Sequence, residues 1–120
     1  MANQAPVAWV TGGTGGIGTA ICRSLADAGY LVVAGYHNPD KAKIWLETQQ
    51  ADGYNNIALS GVDLSDHNAC LEGAREIHEK HGPISVLVNC AGITRDGTMK
   101  KMSYEQWYQV IDTNLNSVFN

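Results

Sequence analysis

No stretch of this 120-residue chain approaches the length of apolar sequence that crosses a bilayer. No basic segment leads into an apolar one at the start, so neither a membrane anchor nor a secretory signal is expected. Basic residues are scarce: eight Lys and Arg stand against twelve Asp and Glu, for a formal charge of −4. That balance argues against broad nucleic-acid binding, which uses a basic face. It leaves room for an anionic small ligand held by local lysines and a helix dipole. Cysteine is sparse too. Cys22, Cys70 and Cys90 follow no zinc spacing and are odd in number, so buried reduced thiols in a cytoplasmic protein are expected. His37, His67, His78 and His81 lack metal or catalytic spacing and read as surface residues. There is no linker, low-complexity tract or internal repeat beyond the strand–helix alternation described below. With 44% apolar residues, the chain has the material for one domain and one core.

What the chain has in abundance is glycine, concentrated in Thr11-Gly12-Gly13-Thr14-Gly15-Gly16-Ile17-Gly18. The run lies between an apolar strand (residues 6–10) and a helix carrying Ile17, Ala20, Ile21, Leu25 and Ala28 at helical spacing. Five glycines in eight residues carry an entropic cost that only close approach to a ligand or a helix justifies. Such a turn brings backbone near a pyrophosphate at a helix N-terminus. Gly13, Gly15 and Gly18 fit the general dinucleotide spacing, and Thr11, Gly12, Gly16, Ile17 and Gly18 fit T-G-x-x-x-G-I-G. The alternative is a tight strand–helix turn with no ligand.

Leu31 to Gly35 reads as a second buried strand. Asn38-Pro39 opens a second helix, with Asn as cap and Pro at its first position, running through Trp45 and Leu46 to Gly53. Ile57 to about Val62 forms a third strand, and Ser65 caps a helix ending near Gly82-Pro83. Ile84 to Val88 is a fourth strand, and a loop spans 89–102. Ser103 and Gln106 form a capping box that starts a helix with Trp107, Val110, Ile111, Leu115 and Val118 on its apolar side. Apolar strands alternating with helices imply an α/β fold: a doubly wound parallel sheet covered on both faces.

The tips of these strands select the ligand. The second ends in Gly35-Tyr36-His37-Asn38, with no carboxylate to bind ribose hydroxyls. Lys41 and Lys43 follow nearby and could attract a 2′-phosphate, although each could equally be solvated helix surface. NADP(H) is therefore favoured over NAD(H). Val62-Asp63-Leu64 lies at the ligand edge of the sheet. There Asp63 could accept from an adenine amino group or simply lead a helix favourably to its dipole. The small residues of Asn89-Cys90-Ala91-Gly92 let a cofactor pass over the backbone.

Together these pieces resemble the short-chain dehydrogenase/reductase family. T-G-G-T-G-G-I-G looks like its cofactor signature. Asn89-Cys90-Ala91-Gly92 looks like its N-N-A-G motif with Cys90 for the second Asn, and Asn114 in Asp112-Thr113-Asn114-Leu115 matches its active-site asparagine. Residues 15–22, 32–35, 92–96 and 110–115 are similar to the acetoacetyl-CoA reductases of polyhydroxyalkanoate synthesis. Trp45-Leu46-Glu47 leans the same way, and the 3-oxoacyl-carrier-protein reductases are close behind. The resemblance implies the N-terminal half of a Rossmann-like domain, occupying residues 1–120 of a longer, cytoplasmic, homotetrameric enzyme. It implies an acyl-CoA as substrate and no nucleic-acid or membrane partner.

The candidate cofactor contacts are Gly12, Thr14, Gly15, Gly16, Ile17, Gly18, Gly35, Tyr36, Lys41, Val62, Asp63 and Leu64, with Asn89, Cys90, Ala91, Gly92, Ile93 and Thr94. The resemblance puts Asp96 near the substrate and gives Asn114 a catalytic role, bending its helix and holding a water of the proton relay. It assigns no metal. The family's Ser and Tyr-x-x-x-Lys are missing from these residues: four positions after Tyr104 and Tyr108 stand Tyr108 and Asp112. The implied general acid is thus absent, and this polypeptide alone is expected not to reduce a ketone. A non-catalytic NADP-binding module is the alternative of a different class.

Overall fold

The computed structural model describes residues 4–120. Four parallel strands, β1 (Val7–Thr11), β2 (Leu31–Gly35), β3 (Ile57–Ser60) and β4 (Ile84–Asn89), lie in the order β3-β2-β1-β4. Helices α1 (Gly16–Asp27), α2 (Pro39–Ala51) and α3 (His67–His81) connect them. After a loop, α4 (Tyr104–Ile111) runs into a π-helical segment (Asp112–Asn116) and a last turn, α5 (Ser117–Phe119). The chain winds outward from β1 through β2 and β3, then returns to place β4 on the other side. The switch point of this doubly wound sheet therefore lies between the ends of β1 and β4, where such folds bind ligands.

Every residue of β1 is buried, because helices cover both faces. On one face Val10, Val32, Ala34 and Ile57 pack with Cys22 and Ala26 of α1, backed by Trp45 and Leu46 of α2. On the other, Val7, Trp9 and Val33 pack with Ile77 of α3. Each fully buried valine contributes on the order of 1.5–3 kcal/mol. Asn38 caps α2 as expected, its side chain accepting from the Asp40 and Lys41 amides, with Pro39 in the first position. The Ser103–Gln106 capping box is present on α4.

Five local expectations differ from what is observed. Ile17 does not face the core; it is 75% exposed, and Gly18, Cys22 and Ala26 are the buried face of α1. Small residues win there because the glycine turn sets α1 close to the sheet. Asp66, not Ser65, caps α3 by accepting from the Ala69 amide. Ser65 is already engaged, its hydroxyl and amide both donating to Asp63 Oδ1. β3 ends at Ser60, before Val62. β4 is an edge strand with Ser85, Leu87 and Asn89 exposed rather than a strand buried on both faces. The last helix is interrupted by the π segment.

Candidate functional site

The glycine turn is built by two close approaches. Gly12 has φ +62, and a Cβ there would stand 2.7 Å from Ala91 Cα. Only glycine lets the end of β1 lie this tightly against the end of β4. A Cβ on Gly18 would overlap the Gly12 carbonyl oxygen, so α1 folds directly onto the turn. Gly16, by contrast, has nothing within 4 Å of a Cβ position. The glycines thus divide in purpose: Gly12 and Gly18 bring protein against protein, and Gly16 keeps a surface bare.

Thr11 ties the two strand ends together. Its Oγ1 accepts from the Cys90 amide at 3.1 Å and the Ala91 amide at 3.2 Å, and donates to the Val88 carbonyl at 3.4 Å. Gly15 is the N-cap of α1 without a capping side chain, and no acidic residue occupies the first turn. The first-turn amides and the positive end of the helix dipole therefore remain available to an anion.

Beside this turn a cleft of about 640 Å³ opens along the carboxyl ends of the strands, within the range that takes a small molecule or cofactor. Of the residues singled out from sequence, Gly12, Gly35, Tyr36, Val62, Asp63, Leu64, Ala91, Gly92 and Ile93 line it. Gly16 and Ile17 line a separate shallow apolar hollow with Ile21, Leu25 and Val88. Thr14, Gly15, Gly18, Lys41, Asn89, Cys90, Thr94, Asp96 and Asn114 lie outside both linings.

Asn114 nevertheless acts on the cleft wall. Its Oδ1 accepts from the Ile93 amide and its Nδ2 donates to the Ile93 carbonyl. It sits in the π segment, where the widened turn changes the direction of its side chain relative to a regular helix.

Asp63 presents one oxygen to Ser65 and has its carboxyl held below the usual range, first by the Ser65 hydroxyl, then by the Ser65 amide. The nearby His37 lowers it further. It stays ionised and able to accept from a ligand. Tyr36 lays its phenol over Gly61, whose Cβ position is 2.6 Å from the hydroxyl oxygen.

Sequence reasoning missed several lining residues: Trp9, His37, Ser60, Arg95, Gln109 and Thr113. His37, read as surface, follows directly after the tip of β2, and that adjacency was the available signal. Arg95 is held by Gln109 of α4 at 3.1 Å, a contact that sequence spacing does not reveal. Among the described residues no group of three His, Cys, Asp or Glu side chains could hold a metal ion. No helix there is long and apolar enough to cross a membrane.

A family model described as short chain dehydrogenase matches residues 6–120. The acetoacetyl-CoA reductase of Allochromatium vinosum is 50% identical over 119 residues, covering 98% of this chain and 48% of that protein. That of an Acinetobacter species is 47% identical over 121 residues, with the same coverage of each. A 3-oxoacyl-[acyl-carrier-protein] reductase of Staphylococcus epidermidis is 39% identical, covering 94% and 46%. Among solved structures, an actinorhodin polyketide ketoreductase with NADPH superposes with a TM-score of 0.90 at 32% identity, covering 99% of this chain and 46% of that one. The chain spans about half the length of the curated relatives it matches.

Proposed function

We propose, because this chain belongs to the short-chain dehydrogenase family, that its cleft holds NADP(H) and serves reduction of a 3-oxoacyl thioester. The substrate that the relatives' name favours is acetoacetyl-CoA, whose 3-keto group would be reduced to give 3-hydroxybutanoyl-CoA, for the polyhydroxyalkanoate synthesis that the sequence resemblance implies. The observation that carries the reading is the divided glycine turn at the sheet's switch point: closed where Gly12 meets Ala91, bare at Gly16.

The residues present fit the cofactor. The first-turn amides of α1 suit the diphosphate, and the free oxygen of Asp63 suits an adenine amino group. The tip of β2 carries no carboxylate against a 2′-phosphate, and Lys41 and Lys43 supply positive charge nearby. When bound, the cofactor supplies a hydride. The backbone of Ala91, Gly92 and Ile93, held by Asn114 and Thr11, lines the cleft facing it, with Asn89, Cys90 and Thr94 proposed to flank it and Asp96 to stand toward the substrate. The whole protein is proposed to be a cytoplasmic homotetramer.

Two other readings have support of their own. The Staphylococcus epidermidis relative favours a carrier-protein thioester as substrate. The absence of Tyr-x-x-x-Lys within these 120 residues favours cofactor binding without turnover for this polypeptide alone.

The test is a fluorescence titration of this chain with NADPH, repeated with NADH, followed by an assay of NADPH oxidation with acetoacetyl-CoA. Saturable binding that prefers NADPH, with no oxidation, is expected. A preference for NADH would overturn the assignment at the tip of β2. Turnover above background would overturn the requirement for a Tyr and Lys outside these residues.

A further inference from the structure

The indole of Trp45 lies on α2, outside the cleft lining, yet it connects to the glycine turn through two hydrogen bonds in series. Trp45 Nε1–H donates to Thr19 Oγ1 at 2.9 Å, and Thr19 Oγ1–H donates to the Gly15 carbonyl at 2.5 Å. An indole N–H can only donate. Thr19 must therefore accept from Trp45, and its single proton is left for Gly15. The direction of the chain is fixed, and each bond polarises the next.

Gly15 is held from other sides as well. Its carbonyl also accepts from the Thr19 amide at 2.8 Å, and its own amide donates to the Gly12 carbonyl at 3.2 Å. In a planar trans peptide the amide N–H of Gly16 points opposite to the Gly15 carbonyl. Fixing that carbonyl therefore fixes the direction of the Gly16 N–H, the first amide of α1. Without this restraint the adjacent glycines would be the freest backbone of the turn, and a ligand would have to order them on binding.

We infer that Trp45 and Thr19 are positioning residues that preorganise the diphosphate-binding amides of the glycine turn from the second helix. This rests on the NADP(H) reading above. Two observations support the helix-to-helix brace. Arg23 of α1 donates to Gln49 Oε1 at 2.7 Å, and Gln49 Nε2 donates to the Trp45 carbonyl at 3.2 Å. Trp45 is thus anchored by its backbone and its neighbours, and its indole is free to act on Thr19.

The experiment compares W45F, T19V and T19S with the parent chain. W45F keeps the aromatic packing and removes the donor; T19V keeps the shape and removes the relay; T19S restores the hydroxyl. Three quantities are read: affinity for NADPH, affinity for adenosine 2′-monophosphate (which lacks the diphosphate), and amide hydrogen exchange at Gly16 and Ile17. W45F and T19V are expected to weaken NADPH roughly three- to tenfold, the worth of one net hydrogen bond. They should leave adenosine 2′-monophosphate unchanged and speed exchange at the two amides, and T19S should match the parent. Equal weakening of both ligands would overturn the inference, because it marks general destabilisation. Unaltered exchange and NADPH affinity in both variants would overturn it too. If the parent itself fails to bind NADPH, the reading of the cleft falls; the exchange rates then decide the brace alone, faster exchange supporting it and unaltered exchange overturning it.

Discussion

Asn114 and Ile93 exchange two hydrogen bonds: the Ile93 amide donates to Asn114 Oδ1 at 2.8 Å, and Asn114 Nδ2 donates to the Ile93 carbonyl at 2.9 Å. The side chain thereby behaves like a short piece of neighbouring strand. It satisfies both backbone groups of a loop residue that has left the sheet. Replacing Asn114 by Leu keeps the volume and removes both bonds. The Ile93 amide should lose about 1–2 kcal/mol of protection in hydrogen exchange. Protection equal to the parent's would show that the loop is held by something else.

Gly16 and Gly18 should respond oppositely to an added side chain. Gly16→Val meets no protein atom within 4 Å of the new Cβ, so the urea midpoint should hardly move while NADPH binding is lost. Gly18→Ala drives a methyl into the Gly12 carbonyl and should cost about 1–3 kcal/mol of stability. A Gly16→Val protein that still binds NADPH would remove the diphosphate from this turn.

The Cys22 thiol is pushed up to about 12 from an ordinary 9.0, first by burial and then by the neighbouring Cys90. Between these values the unfolded chain gives up its proton while the folded chain keeps it. The unfolded state then binds fewer protons, so stability falls as pH rises, by about 1.4 kcal/mol per unit from this group. Below pH 9 the group contributes no slope. Cys70 is shifted in the same direction by burial. Urea titrations at pH 8 to 11 should show the decline, and Cys22→Ala should flatten it; an identical slope in that variant would contradict the assignment.

Arg23 and Arg75 each form an ion pair, and only one should matter. Arg23 donates to Asp52 at 2.6 Å and to Gln49, which is 2% exposed, and lies over the Tyr54 ring. Arg23→Ala leaves a buried amide oxygen without its donor and should cost about 1–3 kcal/mol. Arg75 pairs with Glu72 on the exposed side of α3, and Arg75→Ala should change stability by less than about 0.5 kcal/mol. Similar losses in both would refute the role given to Gln49.

The parallel sheet, its helices and the glycine turn were legible because each has a strong local signal: apolar runs, caps such as Asn38-Pro39, and clustered glycines. What stayed hidden depended on contacts between distant residues. Nothing in the spacing of Trp107, Val110 and Leu115 distinguishes an α-helix from one with a π segment, since the same apolar pattern serves both. Ser65 and Asp66 are both good caps; the choice between them was made by Asp63, which had already taken Ser65. Ile17 fits the periodicity of α1, yet the face that meets the sheet is decided by how closely Gly18 must approach Gly12. Leu87 belongs to an apolar run but is 52% exposed, since burial is set by what packs over a strand and not by the run itself.

The π segment also makes this stretch sensitive to length rather than to composition. A π turn is one residue more than the α-helix around it needs. Many substitutions within residues 112–116 would keep that surplus, but deletion of one residue would remove it. The ladder would then close as regular α-helix with the flanking side chains keeping their faces, and the widened turn that carries Asn114 would be lost. Asn114, inside that turn, would lose the direction that sets its amide on Ile93. Natural variation here is therefore expected to conserve the residue count between Trp107 and Phe119 more strictly than most identities inside it.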